Sequence, residues 1–376
     1  MPQYYSTKYY STKYVIIRYI IDTIQTFKSC LSTLPYGSFP MKTTNKIRKP
    51  TVAVIVSNYN GATNFYDGKS ILELTLTSLR TTRYSRYYTI VTDDNSKDNS
   101  ITYVKTNFPE VHVVQRKTNG GFSANNNSGI LYAYHKLNPD YYLLLNNDII
   151  ITDKLWLDKL VSEFESRKHD NPGIESCNLI MPDNRIQCAD VGVLDNGKFK
   201  WVRYRDNPKL FKTAFYADFL LFACVLISKE AMSKIGLLDE HFWIGHEDSD
   251  WCLRVHRAGF RLLYNGKVSI VHLGGQSTSN AKDEDTRKSQ FPLGIRNHTY
   301  YILKNYTGLE RFAKLSRMLG GSVFAITDAN QHKDIRNFRI KDNPFRRIYI
   351  ALKSMYSGYK VYKSARQKNN MFIPLK

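Results

Sequence analysis

The sequence predicts an α/β domain built on a largely parallel sheet, with a mixed second half and a basic helical extension. Three observations carry this prediction. Apolar β-branched runs alternate with helical stretches four times in about a hundred residues after Pro50. Polar residues cluster where each of those runs ends. The excess positive charge lies almost entirely outside the alternating region.

Thr51 to Ser57 (TVAVIVS) is a short β-branched run suited to a strand buried on both faces. Ser70 to Leu79 repeats Leu at helical spacing. Tyr87 to Thr92 reads as a second strand, Asp98 to Asn107 as a helix, Val111 to Gln115 as a third strand, Phe122 to Leu137 as a helix and Tyr141 to Leu145 as a fourth strand. Such alternation gives a parallel sheet with ligands at the carboxyl ends of its strands. After residue 170 the pattern changes to short strands at Ala189 to Leu194, Phe199 to Tyr204 and Phe219 to Ile227, divided by Asn-Gly and Pro turns, which predicts mixed or antiparallel pairing. Asp248 to Ala258 is helical. Arg261 to Tyr264 and Lys267 to Val271 are expected to form a hairpin across Asn265-Gly266.

The 376 residues carry 54 basic and 33 acidic side chains, a formal charge of +21. Residues 1–50 hold +7, residues 51–290 only +1, and residues 291–376 +13. The chain therefore divides into a basic N-terminal extension (1–50), a neutral body (51–290) and a basic helical C-terminal region (291–376). A nucleic-acid enzyme places basic surface around its working groove, so a neutral body argues against nucleic acid as partner. No apolar run is long enough to span a bilayer, since Tyr14 to Leu31 is interrupted by Arg18, Asp22 and Lys28. Five widely spaced cysteines without a CxxC pair, and no signal-peptide pattern, read as reduced thiols in a cytoplasmic protein; Met41 is an alternative start.

The strand ends supply the candidate chemistry. They read Asn58-Tyr59-Asn60-Gly61, Asp93 to Asp98, Asn119-Gly120-Gly121-Phe122 and Asn146-Asn147-Asp148. Each alone is ordinary turn chemistry, but together they line one edge of a parallel sheet as a polar pocket. Glycines beside Asn119 let a backbone approach a ligand at the positive end of the following helix. No GxxxxGK[ST] loop occurs. Asp148 is a hard-oxygen ligand suited to Mg²⁺ or Mn²⁺, or a solvated turn residue. Glu247, Asp248 and Asp250 crowd the first turn of a helix, where capping explains one or two of them and mutual repulsion raises a carboxyl pKa toward that of a general base. Arg254 is spaced to pair with Asp250. His272 is either a metal ligand or a loop histidine.

The ordered set YNG (59–61), DDNSKDNS (93–100), NGGFSANNNSG (119–129), LLLNND (143–148), GLLDEHFWIGHEDSDWCLRVHRAGFR (236–261) and VHLGGQS (271–277) resembles the family 2 inverting glycosyltransferases, most of all the rhamnosyltransferase-like and galactofuranosyltransferase-like members. The resemblance covers roughly residues 51–300. It implies a GT-A fold, a nucleoside diphosphate sugar donor, and Mg²⁺ or Mn²⁺ as cofactor. By the same resemblance Tyr59, Asn60, Asp93, Asn119, Gly120, Gly121, Asn146 and Asn147 bind the nucleotide sugar. Asp148 and His272 hold the metal, with Asn146 standing where the family's DxD motif has its first Asp. Glu247 and Asp248 form the catalytic ED pair, with Asp248 as base.

Beyond residue 290, Tyr300-Tyr301-Ile302-Leu303, Leu315 to Leu319 and Ile348 to Leu352 are each flanked by Arg or Lys. Two readings stand: helices packed on the body, or interfacial helices held at an anionic membrane surface on its cytoplasmic side, near a glycan or lipid-linked acceptor. The rival functions are a nucleotidyltransferase of similar fold and a non-enzymatic basic protein that binds nucleic acid or glycan. The sugar-reading residues are expected within about Ile174 to Phe222, and the sequence leaves the donor sugar open.

Overall fold

The computed structural model describes residues 48–184, 186, 191–195, 198–202, 210–274, 284–324 and 344–375, so Tyr14 to Leu31, Met41, Cys188 and Gly275 to Ser277 lie outside it. In chain order the first half contains β1 (Val52–Asn58), α1 (Ile71–Arg80), β2 (Tyr87–Asp93), α2 (Ser100–Asn107), β3 (His112–Gln115), α3 (Gly121–Lys136), β4 (Tyr141–Asn146), β5 (Ile149–Ile150) and α4 (Trp156–Ser166). The second half contains β6 (Pro172–Ile180), β7 (Val191–Asp195), β8 (Lys198–Val202), β9 (Ala214–Ala217), β10 (Cys224–Ser228), α5 (Lys229–Ile235), α6 (Glu247–Arg257) and β11 (Arg261–His272). Three helices follow: α7 (Glu284–Asn305), α8 (Gly308–Phe324) and α9 (Pro344–Gln367).

The β-branched runs form the centre of the sheet because both of their faces are covered. Along β1, Val52, Val54 and Val56 enter one core layer while Ala53 and Ile55 enter the other. β4 divides in the same way, with Tyr141, Leu143 and Leu145 opposed to Tyr142 and Leu144. One layer is closed by Leu72, Leu76 and Leu79 of α1 and by Trp156, Leu160 and Phe164 of α4. The other is closed by Ile130 and Ala133 of α3, Met232 and Ile235 of α5, and Trp251 and Val255 of α6. The result is a three-layer α/β/α arrangement. Gly129 permits it locally, since a Cβ there would fall 2.4 Å from Ile55 Cγ2.

Among the described residues the main sheet runs β9-β11-β6-β10-β4-β1-β2-β3, with β5 paired to the end of β11. β4, β1, β2 and β3 are parallel, as the alternation predicts. β10 is antiparallel to both β4 and β6, which makes the second half mixed. Register pairs Asn58 with Asp93 and Ser57 with Asn146, so three polar strand ends lie at one level.

Two expectations are corrected. Asn265-Gly266 does not turn a hairpin: β11 is one strand through both residues, with an irregular step in its pairing to β6 between Asn265 and Ser269. Neither residue has the positive φ that a type I′ turn requires. Asn265 is instead buried and donates to Glu175 Oε1 at 2.7 Å, and Gly266 lies so close to Phe211 that a Cβ would fall 2.2 Å from its carbonyl oxygen. Second, Phe219 to Ile227 is not one strand. The chain must pass from the sheet edge at β9 to the interior at β10, and it turns at Phe222-Ala223 to do so.

Cys177, Cys224 and Cys252 are free and buried. No helix among the described residues is long and apolar enough to cross a membrane. Tyr300 and Ile302 of α7 are buried, so this part of the basic region packs inward. Lys304 of α7 reaches Asp239 Oδ2 at 2.6 Å and Asp250 Oδ2 at 2.9 Å. Arg254 binds the same Asp250 oxygen at 2.9 Å, as its spacing predicts, and Asn305 donates to the other at 3.0 Å. Burial alone would raise the Asp239 pKa, but His241, Lys304 and Tyr300 hold it well below the usual carboxylate range. Its stabilising effect is therefore present at neutral pH and lost in strong acid. Lys304→Met leaves two buried carboxylates short of their cation and is expected to cost about 3–5 kcal/mol, measurable by denaturant unfolding at pH 7. A loss below 1 kcal/mol would contradict this account of the triad.

Candidate active site

The first strand end is a closed hydrogen-bonded network. Asn58 donates to Asp93 Oδ2 at 2.9 Å and accepts from Asn147 Nδ2 at 2.8 Å. The Ser96 N–H donates to Asp93 Oδ1 at 2.9 Å, and the Ser96 hydroxyl donates to Oδ2. Asp93 is thus fully buried with both oxygens engaged inside the protein. Asn60, at φ +50°, donates its N–H to Ser96 Oγ and accepts from the Lys97 N–H, which ties the two loops together. Tyr59, between these fixed points, leaves its ring exposed.

The glycine loop is anchored by a residue that sequence reasoning passed over. Asp94 accepts from the N–H groups of Gly120 at 2.9 Å and Gly121 at 2.8 Å, and pairs with Arg116 Nε at 2.9 Å. The amides of both glycines therefore serve Asp94. Asn119 accepts from the Gly121 N–H at 3.1 Å and is otherwise exposed. Gly121, at φ +79°, lies against Trp243: a Cβ would fall 2.4 Å from its Cδ1. The backbone approach that these glycines permit is to the loop before α6.

Helix α3 presents buried asparagines where an apolar face is usual. Asn125 donates to Ser57 Oγ, the Asn58 carbonyl and the Thr92 carbonyl, locking the ends of β1 and β2. Asn127 exchanges hydrogen bonds with Leu238 and donates to Glu240 Oε1. From the other side, Asn297 of α7 donates to the carbonyls of Phe242, Ile244 and Gly245 at 2.8 to 2.9 Å. Two helices thus hold the 238–245 segment that delivers Glu247 and Asp248. The run Asn125-Asn126-Asn127 on a helix was a readable signal; Asn297 had none, because its partners lie more than fifty residues away.

At the end of β4 the structure brings Asp148 and His272 together. Both are buried, and His272 Nε2 stands 3.2 Å from Asp148 Oδ1 without hydrogen-bond alignment. Asn146 Nδ2 lies 3.5 Å from the same imidazole nitrogen. Asp148 Oδ1 and His272 Nδ1 have no hydrogen-bond partner. An unpartnered carboxylate oxygen facing an imidazole nitrogen fits a divalent cation whose remaining ligands are substrate oxygens and water. Among the described residues no set of three or more His, Cys, Asp or Glu side chains is arranged to hold a metal by itself.

The ED pair opens α6. His246 precedes it in the left-handed region at φ +72°, stacked on His298 with ring centroids 4.9 Å apart, and burial followed by the His298 charge pushes its pKa down to about 4. Burial, then the Asp248 charge, pushes Glu247 up to about 8, and its Oε2 has no hydrogen-bond partner. Burial pushes Asp248 up to about 6, against the opposing pull of the Ser249 N–H at 2.7 Å and its hydroxyl at 3.3 Å. Only one Asp248 oxygen takes those bonds, and the residue is partly exposed.

Against known proteins, residues 53–175 match the model for glycosyl transferase family 2. That match takes in the strand ends of β1, β2 and β4, with Asp93 and Asp148. The chain's relatives include O-antigen biosynthesis protein RfbC of Myxococcus xanthus, 25% identical over 59% of this chain and 17% of that protein. Rhamnosyltransferase WbbL of Escherichia coli K12 is 28% identical over 40% of this chain and 60% of its own length. The dTDP-rhamnosyl transferase RfbF of Shigella flexneri is 21% identical over 50% and 61%. The chain thus spans less than two thirds of each of these relatives. Among solved structures, Staphylococcus aureus TarS 1-349 aligns over 85% of this chain and 92% of that one, at 13% identity and a TM-score of 0.48. The mixed sheet with helices on both faces agrees with the α/β architecture that the alternating pattern predicts.

The candidate site therefore carries a carboxyl that burial keeps protonated near neutrality. Because the folded pKa of Glu247 is raised, its contribution to stability is greatest below the ordinary carboxylate pKa and is lost as pH rises through about 8. Glu247→Gln should melt increasingly above the wild type as pH is taken from 5 to 9 in a thermal denaturation series. Parallel curves would contradict the assigned protonation.

Proposed function

We propose that the chain is a metal-dependent inverting glycosyltransferase that moves a sugar from a nucleoside diphosphate sugar to a hydroxyl of a glycan or lipid-linked acceptor. The observation that carries the proposal is the Glu247-Asp248 pair. It stands at a helix N-terminus, with split and raised pKa values, just after a loop whose Trp243 packs on the glycine turn. Two adjacent carboxyls whose environments separate their pKa values have separable roles. Glu247 stays protonated near pH 7 and lowers the local negative charge. Asp248 is mostly ionised there and has an oxygen free of internal hydrogen bonds to accept a proton.

The reaction is a single in-line displacement. Asp248 takes the proton of the acceptor hydroxyl as the acceptor oxygen bonds to the anomeric carbon. The bond from that carbon to the diphosphate breaks on the opposite face, and the nucleoside diphosphate leaves with the electron pair, so the configuration inverts. Asn58, Asp93, Ser96 and Asn60 fix the loop that presents Tyr59 toward the nucleoside. Asp148 and His272 are the residues that would hold Mg²⁺ or Mn²⁺ with the diphosphate. The cation, when bound, offsets negative charge on the leaving group. The rhamnosyl relatives make a dTDP-linked deoxyhexose the first donor to try.

Asp248→Asn should lower turnover by ~10²–10⁴-fold while leaving the donor dissociation constant within a few fold of wild type. In the wild type, kcat/KM should rise as pH passes about 6, where Asp248 ionises. Transfer assays on the purified variant decide the matter, and unchanged turnover would remove Asp248 from the role of base.

A further inference from the structure

Helix α9 is amphipathic in the wrong sense for a helix that only completes a core. The most deeply buried part of its inward face is small: Ala351, Ser354, Gly358 and Ala365 are buried, and a Cβ on Gly358 would fall 2.5 Å from the Arg296 carbonyl oxygen of α7. Met355, Val361 and Tyr362 pack partly buried beside them, while four other large residues point outward. Tyr349 is 62% exposed, Leu352 50%, Tyr356 60% and Tyr359 47%. Spacings of three, four and three residues place all four on one stripe. Lys353, Lys360 and Lys363 are exposed along it, with Lys353 5.9 Å from the Tyr349 ring centroid and Lys360 4.7 Å from that of Tyr356. The whole helix contains no Asp or Glu.

We infer that this face of α9 docks on the headgroup region of an anionic lipid bilayer, with the Tyr349-Leu352-Tyr356-Tyr359 stripe at the acyl boundary and the three lysines among the headgroups. Tyrosine suits that boundary because its ring is apolar and its hydroxyl stays wet. Lysine stems lie along apolar surface while the ammonium reaches out to lipid phosphates. A second copy of the chain fits less well. It would bring an identical acid-free basic helix against this one, with six Lys and Arg on each and no carboxylate on either. The inference does not depend on the catalytic assignment, because it uses no residue of the active site.

Flotation of the full chain with two kinds of vesicle tests it: phosphatidylcholine alone, and an equal mixture of phosphatidylcholine and phosphatidylglycerol. The wild type should float with the mixed vesicles only, and less at high salt. Lys353→Gln/Lys360→Gln/Lys363→Gln should lower the partition coefficient about 100-fold. Tyr349→Ser/Tyr356→Ser/Tyr359→Ser should release the chain as well. These side chains are exposed, so unchanged melting curves will separate lost docking from lost folding. Wild type that fails to float, floats equally with both vesicles, or is matched by either variant would overturn the inference. So would self-association that the Tyr variant abolishes in a chain that does not float, since that assigns the stripe to a second copy.

Discussion

The ammonium of Lys304 between the buried carboxylates of Asp239 and Asp250 is the contact on which the rest of the site depends. Asp239 opens the 239–245 loop, Asp250 lies in the first turn of α6, and Glu247 and Asp248 stand between them. One cation from α7 thus ties together the two ends of a segment whose middle Asn297 of the same helix holds by its carbonyls. Tyr300 and Arg254 donate to the same two oxygens as Lys304, and His241 and Asn305 donate to the other two, so neither carboxylate is left without donors. A buried arrangement of this kind is weak evidence for stability, yet it allows little freedom of geometry. Geometry is what a base beside a reacting hydroxyl requires.

This dependence changes the meaning of the basic C-terminal charge. Lys304 is counted there, and its partners are in the neutral body. Asn297, which holds the loop before the ED pair by bonds to three carbonyls, belongs to the same helix. The region after residue 290 therefore has at least two kinds of surface. The inner helix is a support of the candidate active site, and the outer helix turns its aromatic residues to the outside.

The first half of the fold was legible because its signals are local. TVAVIVS and YYLLLN can be buried on both faces only in the middle of a sheet, and Ser70 caps α1 by accepting from the Glu73 N–H. The carboxylates and glycines of the strand ends were legible for the same reason. Other features were not, because distant residues decide them. Asn265-Gly266 reads as a turn until Glu175 takes the Asn amide and Phe211 closes on the Gly. Gly120 and Gly121 read as backbone that a ligand can approach closely, while the claim of Asp94, on the neighbouring loop, to both of their amides has no local signal. Asp250 reads as one of three crowded carboxylates until Lys304 arrives from more than fifty residues away, leaving Glu247 and Asp248 as the pair that interacts.

The central claim is that the polar edge formed by the ends of β1, β2 and β4, together with the ED loop, binds and splits a nucleoside diphosphate sugar. A hydrolysis screen tests it most directly, using dTDP-, UDP- and GDP-linked sugars in turn with Mg²⁺, Mn²⁺ or chelator, and following release of the nucleoside diphosphate. The account predicts release from one donor class, with either cation and not with chelator, and its loss in Asp248→Asn. Absence of release from every donor, with no nucleoside diphosphate binding in the presence of either cation, would contradict it.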